Sequence, residues 1–192
     1  MLIKKQSGGI FVNIKDGSLV IKKGKEQEPE TFSSIKGFIT KVDFIEEEFE
    51  GKKQEKAKIY ITDVDQSYIL QMKTNSGYFR GFCNSLKSGS PTKEVTITPS
   101  SKKNENGKKQ TTCFVEQDGR YLKHFFTKDF KGDDKDFLPD LDKIVFKGET
   151  IYDNTKQVEY WKKWLSSKFL ENCIDSSLKN EEEDLTDDDL PF

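Results

Sequence analysis

Apolar and polar residues alternate along most of the first 127 positions, and that period of two predicts strands. In IFVNI (10–14), Ile10, Val12 and Ile14 share a face. Asp16-Gly17 follows, then SLVIK (18–22), a pattern that predicts a tight β-hairpin. KKGKEQEPE (22–30) is polar throughout and reads as an exposed connection. SSIKGFITKVDFIE (33–46) predicts a long strand with a bulge or bend at Gly37. KAKIYITDV (56–64) sends Ile59 and Ile61 to one side, and Lys58, Tyr60 and Thr62 to the other. QSYILQMKT (66–74) follows a short turn at Asp65.

The period then changes. In NSGYFRGFCNSLKSG (75–89), Phe79, Phe82, Cys83 and Leu86 fall on one helical stripe, with Asn75 or Ser76 to cap its start and Gly89 to end it. Strands resume at KEVTITPS (93–100) and TTCFVEQ (111–117), and after Asp118-Gly119 at RYLKHFFT (120–127). Three strands, a short helix, then two or more strands is the layout of an OB-fold, a five-stranded barrel with a helix between its third and fourth strands. The fold expected is therefore mainly β. Residues 1–30 form an N-terminal hairpin and connection, and 31–154 the barrel with a peripheral loop.

Beyond the barrel, GDDKDFLPDLD (132–142) reads as an acidic loop and KIVFKGETIY (143–152) as an added strand. Residues 155–174 predict an amphipathic helix with Val158, Trp161, Leu165, Phe169 and Cys173 on one face and Trp164 at its edge. Its tryptophans would anchor it to the barrel or to a second subunit. A flexible acidic tail is expected over 175–192.

Composition changes the picture in one respect. The formal net charge of −2 conceals an asymmetry, because 181–192 hold seven acids and no Lys or Arg. Setting these aside leaves 32 basic against 27 acidic residues, so 1–180 carry a net charge of +5. A basic body with an acidic tail suits a polyanionic ligand and a built-in competitor for it. Only Arg80 and Arg120 among the basic residues are arginine. Lysine is a point charge, suited to tracking phosphates rather than reading base edges. The three cysteines, Cys83, Cys113 and Cys173, are far apart and odd in number, which fits a reducing cytoplasm and neither a disulfide framework nor a zinc site. No membrane span or signal peptide is read from the sequence, so the expected location is cytoplasmic, or the host cytoplasm for a phage protein.

Enzyme motifs are sparse. Phosphate-binding and dinucleotide glycine loops, HExxH and GxSxG do not occur. The only histidine, His124, lies in KHFF, where its spacing from Cys113 favours no nucleophile–base pair. Asp133, Asp134, Asp136, Asp140 and Asp142 raise a metal-dependent nuclease as an alternative, although their spacing matches no Ca²⁺ loop. No catalysis, metal or cofactor is expected.

Binding is better represented. SKKNENGKKQ (101–110) places Lys102, Lys103, Lys108 and Lys109 around Asn106-Gly107, and EEEFEGKKQEK (46–56) carries Phe49, Lys52, Lys53 and Lys56. In an OB-fold these two loops border the nucleic-acid groove. Single-strand binding needs cations along the backbone and aromatic faces under the bases. Lys58 and Tyr60, facing away from Ile59 and Ile61, supply both, with Tyr121, Tyr68 and Phe49 as further aromatic candidates.

The last six residues, Asp187, Asp188, Asp189, Leu190, Pro191 and Phe192, follow four more acids. This terminus resembles the tip of bacterial and phage single-stranded-DNA-binding proteins. The bacterial members end in Asp-Asp-Asp-Ile-Pro-Phe, so only leucine for isoleucine differs here. The resemblance implies recruitment of replication and recombination proteins such as a polymerase, primase or helicase, and a tail that competes with DNA for the groove. Physically, a partner could seat the Phe192 ring, pair the terminal carboxylate and meet the aspartates with a basic rim, while Pro191 lowers the ordering cost. The chain departs from the bacterial pattern in lacking a long Gly/Gln/Pro-rich linker. Trp161 and Trp164 lie outside the barrel, so neither the family's stacking tryptophans nor its tetramer carries over. The expected function is sequence-independent binding and protection of single-stranded DNA, with RNA and homo-oligomerisation left open. An adaptor that uses the tip without binding DNA is the other alternative.

Overall fold

The N-terminal alternation folds as its pattern predicts. Strands β1 (Ile10–Lys15) and β2 (Ser18–Ile21) are joined by Asp16-Gly17, whose φ angles of 52° and 85° are both positive. Such a pair of left-handed residues matches the right-handed twist of the strands it joins. The computed structural model describes residues 9–22, 27–49, 51–64, 66–90, 92–133, 136–146 and 149–169. The expected tail, Asp187–Phe192 included, lies outside the described residues, as do Asp65, Asp134 and Cys173.

A short strand β3 (Glu30–Phe32) closes the polar connection, and β4 (Ile35–Phe49), β5 (Lys52–Thr62) and β6 (Ser67–Lys73) form an antiparallel meander. At Gly37 strand β4 changes partner: residues 35–37 pair with β7 (Val95–Lys103), and those from Phe38 onward pair with β5. A register irregularity follows between Ile39 and Lys41. Helix α1 (Gly77–Leu86) begins at Ser76, whose hydroxyl accepts from the Phe79 N–H at 3.2 Å. Its stripe of Phe79, Phe82, Cys83 and Leu86 is buried as the spacing predicts. β8 (Lys109–Gln117) and β9 (Arg120–Tyr121) complete an open nine-stranded sheet in the order β3-β2-β1-β6-β5-β4-β7-β8-β9.

The protein is mainly β, but the closed five-stranded barrel expected from the strand order is not formed. Closure would require β6 to pair with β8, and both edges are already covered. β1 lies parallel to β6, with Val12 opposite Leu70. The edge of β8 is paired with β9 at Glu116 and Gln117, and α1 lies against its earlier residues, where two glycines let the chains approach closely. A Cβ on Gly77 would lie 2.2 Å from the Thr111 carbonyl oxygen, and one on Gly81 would lie 2.2 Å from Thr112 Oγ1. No alternation pattern reveals an edge covered this way.

The strand expected over 120–127 stops at Tyr121 because α1 takes over its backbone partners. Asn84 donates through Nδ2 to the Phe126 carbonyl at 2.9 Å, and its Oδ1 accepts from the Phe126 N–H at 2.8 Å. The following stretch, read as irregular with one strand, contains two small hairpins. One is β10 (Gly132–Asp133) with β11 (Asp136–Phe137); the other is β12 (Asp142–Phe146) with β13 (Glu149–Asp153).

Helix α2 (Thr155–Trp164) runs on into a π-turn, Leu165–Phe169. Trp161 and Leu165 are buried in the same core as Ile59, Ile61 and Phe82. The tryptophans thus anchor the helix to the body. Between α1 and α2 the Lys87 ammonium is almost wholly buried, 2.5 Å from Asp136 and 4.9–5.1 Å from the ring centres of Phe125 and Trp164. Aromatic faces and a carboxylate replace the water it has lost.

Candidate nucleic-acid interface

Side chains alternate across the sheet, so one face packs the core and the other is turned outward. Register fixes the outward rows. Phe11 on β1 lies opposite Ile69 on β6, Ile69 opposite Tyr60 on β5, and Tyr60 opposite Lys41 on β4. The adjacent row carries Asn13, Gln71, Lys58 and Asp43 in the same strand order. Phe38, opposite Thr62, is also on this face. Phe11 and Phe38 are each about half exposed, at 50% and 49%, which is unusual for large aromatic rings on a sheet.

Cations stand over these rings. Lys58 Nζ is 5.7 Å from the Phe11 ring centre, and Lys41 Nζ is 5.3 Å from that of Tyr60. Lys41 also pairs with Asp43 at 2.9 Å, and this holds the Asp43 carboxyl below its ordinary range and the Lys41 ammonium above its own. Desolvation, then the hydrogen bond to Asp43, pushes the Tyr60 phenol up, so the ring stays neutral at physiological pH. The sequence-predicted pair Lys58 and Tyr60 is therefore placed together. Phe11, Phe38 and Lys41 join it without having been anticipated. Tyr68 does not join: it turns to the other side and packs against the core.

At the far end of the sheet a groove of about 640 Å³ runs between α1 and the β7–β8 hairpin. Arg80, Lys102, Lys109 and His124 surround it, with Phe114 and Thr112 on its strand side. The exposed ring of Tyr121 meets Phe114 edge-on, with centroids 6.1 Å apart. His124 is exposed at the mouth, yet its protein neighbours strip enough water from the ring to hold its pKa below 6.5. Lys109 is neutralised by Asp16 of the β1–β2 turn, whereas Lys102, Lys103, Lys108 and Arg80 make no ion pair among the described residues.

The β4–β5 hairpin lysines lie elsewhere. Lys52 and Lys53 border a depression against the start of α2 that shares no residue with the α1–β8 groove. Lys53 pairs with Glu46 at 2.9 Å and Lys56 with Glu47 at 2.5 Å, leaving Lys52 exposed and unpaired among the described residues. The two loops expected to border one groove thus serve separate depressions. The α1–β8 groove could not be read from sequence, because it is created by the close approach of Gly77 and Gly81 to β8.

Other chemistry finds little support in the geometry. Asp136 is held by Lys87 and the Tyr160 hydroxyl, Asp140 by Lys131, and Asp142 by Lys156 at 2.8 Å. Each of these carboxylates meets its own partner rather than a common centre, and the described residues contain no group of three His, Cys, Asp or Glu placed to hold a metal ion. Burial raises Cys83 and pushes the Cys113 thiol up to about 12, so neither is a ready thiolate. Among the described residues no helix is long and apolar enough to cross a membrane. No family model, curated protein or solved structure matches the chain.

Proposed function

We propose that this protein binds single-stranded DNA without sequence preference and protects it during replication, recombination and repair. The observation that carries this reading is the outward face of β1-β6-β5-β4, where the half-exposed Phe11 and Phe38 rings and the half-buried Tyr60 ring share one side of the sheet and lysine ammonium groups stand over Phe11 and Tyr60. A base presents a π-face to any ring, and stacking contributes ~1–3 kcal/mol per base whatever the sequence. Lysines beside the rings attract phosphates without demanding a particular base. The strand run β6-β5-β4-β7-β8, with α1 between β6 and β7, supports reading the body as an opened OB-type barrel whose outward face is the binding face. The acidic tip Asp187–Phe192 supports a second role, recruiting partner enzymes while competing for the same cations.

The test is a titration of fluorescent oligo-dT with the full chain at several salt concentrations. If Lys52, Lys58, Lys102, Lys103 and Lys108 each meet a phosphate, log affinity falls against log salt with a slope of about 3.5, from ~0.7 per contact on a single strand. Tyr60→Ala should weaken binding about tenfold while leaving that slope nearly unchanged. Absence of salt-dependent binding would leave the tip as the only functional element and favour the adaptor reading.

A further inference from the structure

The groove between α1 and the β7–β8 hairpin differs in charge from the depression beside Lys52 and Lys53. That depression mixes its cations with Glu55, Asp153 and Glu159. Among the described residues no carboxylate lines the α1–β8 groove. Its lining carries the exposed Arg80 and Lys102, neither of them ion-paired among the described residues, together with His124 and the neutral donors Ser100 and Gln110. Asp16, which neutralises Lys109, is not part of that lining. The surroundings therefore select an anion.

Shape and charge narrow the choice. Gly77 and Gly81 bring α1 so close to Thr111 and Thr112 that nothing passes between helix and strand, which makes the groove a depression with a floor. Its volume of about 640 Å³ falls within the ~300–1,000 Å³ of small-ligand sites and has room for a nucleotide. Phe114, 42% exposed, gives its strand side a ring for a base to lie against. A phosphodiester inside a strand carries one negative charge. A terminal phosphate monoester carries ~1.5–2 near neutral pH, with three strong acceptor oxygens. The Arg80 fork suits two oxygens of one phosphate, and Lys102 supplies the second positive charge.

We infer that the α1–β8 groove takes a phosphate monoester joined to a nucleobase, carried by the end of a DNA strand or by a free nucleotide, with Arg80 and Lys102 on the phosphate and the base against Phe114. The inference rests on the proposed single-strand binding and adds end recognition to it. Internal nucleotides meet the Phe11–Tyr60 row, and the phosphorylated end meets the groove.

The test is fluorescence anisotropy of the full chain with internally labelled oligo-dT of one length, bearing a 5′-phosphate, a 3′-phosphate or neither. One phosphorylated end should bind about tenfold more tightly than the unphosphorylated oligonucleotide. Arg80→Gln should erase that preference. Arg120→Gln, an equal change of charge outside the groove, should keep it, with the far-ultraviolet spectra of both variants unchanged. Thymidine monophosphate of the matching isomer separates the two sources: as a competitor it abolishes the preference where a free nucleotide suffices, and leaves it where a strand end is required. Equal, salt-dependent affinity for all three oligonucleotides overturns the inference and leaves single-strand binding standing. A gain that is the same at both ends and survives Arg80→Gln is unspecific attraction and overturns it too. Binding of none of the three overturns both readings, whereas binding of a phosphorylated end alone upholds the groove and overturns general single-strand binding.

Discussion

At the scale of single residues, the outward face was half legible. The parity that buries Ile59 and Ile61 must expose Lys58 and Tyr60, and those two side chains do sit together. Phe11 escaped notice because only the parallel pairing of β1 with β6 brings it to that row, and parallel partners leave no short-range mark in sequence. His124 offered no motif, yet it lines the groove with Arg80 and Lys102. Its pKa is held down by desolvation, so in the free protein the ring is neutral at and above 6.5. A phosphate bound in the groove would favour the protonated ring, so binding would take up a proton. Oligo-dT affinity should therefore rise as pH falls from 6.5 toward the depressed value, and His124→Gln should flatten that rise. An identical pH profile for the two proteins would place the strand's path away from this groove.

At the scale of elements, long alternating strands and the helical stripe of α1 could be read directly, because each repeats one burial decision over many residues. β3, β9, β10 and β11 have only two or three residues, too few for a period to declare itself. Helix α2 was legible as an amphipathic stripe, but the cluster that receives it was not. Trp161 is 1% exposed and meets Phe126, Tyr160 and Trp164 at centroid distances of 5.0–6.0 Å. Lys162 adds a 2.6 Å contact to Glu55 on β5. Trp161→Ala removes the central ring, and such truncations cost about 3–5 kcal/mol. The denaturant midpoint should fall accordingly with a two-state transition retained. Oligo-dT affinity under native conditions should be unchanged, since the indole packs into the core and not on the Phe11–Tyr60 row. A separate early transition, with the main one unmoved, would mean that α2 folds outside the cooperative core.

At the scale of the whole molecule, the order of elements along the chain was legible, and how the strands join into a sheet and whether it closes were not. Order follows from the sequence of periods along the chain, whereas closure depends on which element reaches an edge first in space. At β8 the edge goes to β9, with α1 and its two glycines against the residues before it, and at β6 it goes to an N-terminal strand. The same scale governs the charge asymmetry. A body of net charge +5 carrying unpaired lysines is tethered to twelve residues with seven acids, and under the proposed function that tail would compete, at high effective concentration, with a bound polyanion. Deleting residues 181–192 should therefore tighten oligo-dT binding most at low salt, where both interactions are strongest. The gain should shrink as salt screens the tail from the body over a Debye length of about 10 Å at 0.1 M. The salt slope of the truncated chain should be steeper than that of the full chain, because the tail, where bound, has already displaced counterions that DNA would otherwise release. Parallel salt plots for the two chains would show that the acidic tail leaves the cations alone. Its seven carboxylates and terminal phenylalanine would then serve partner proteins only.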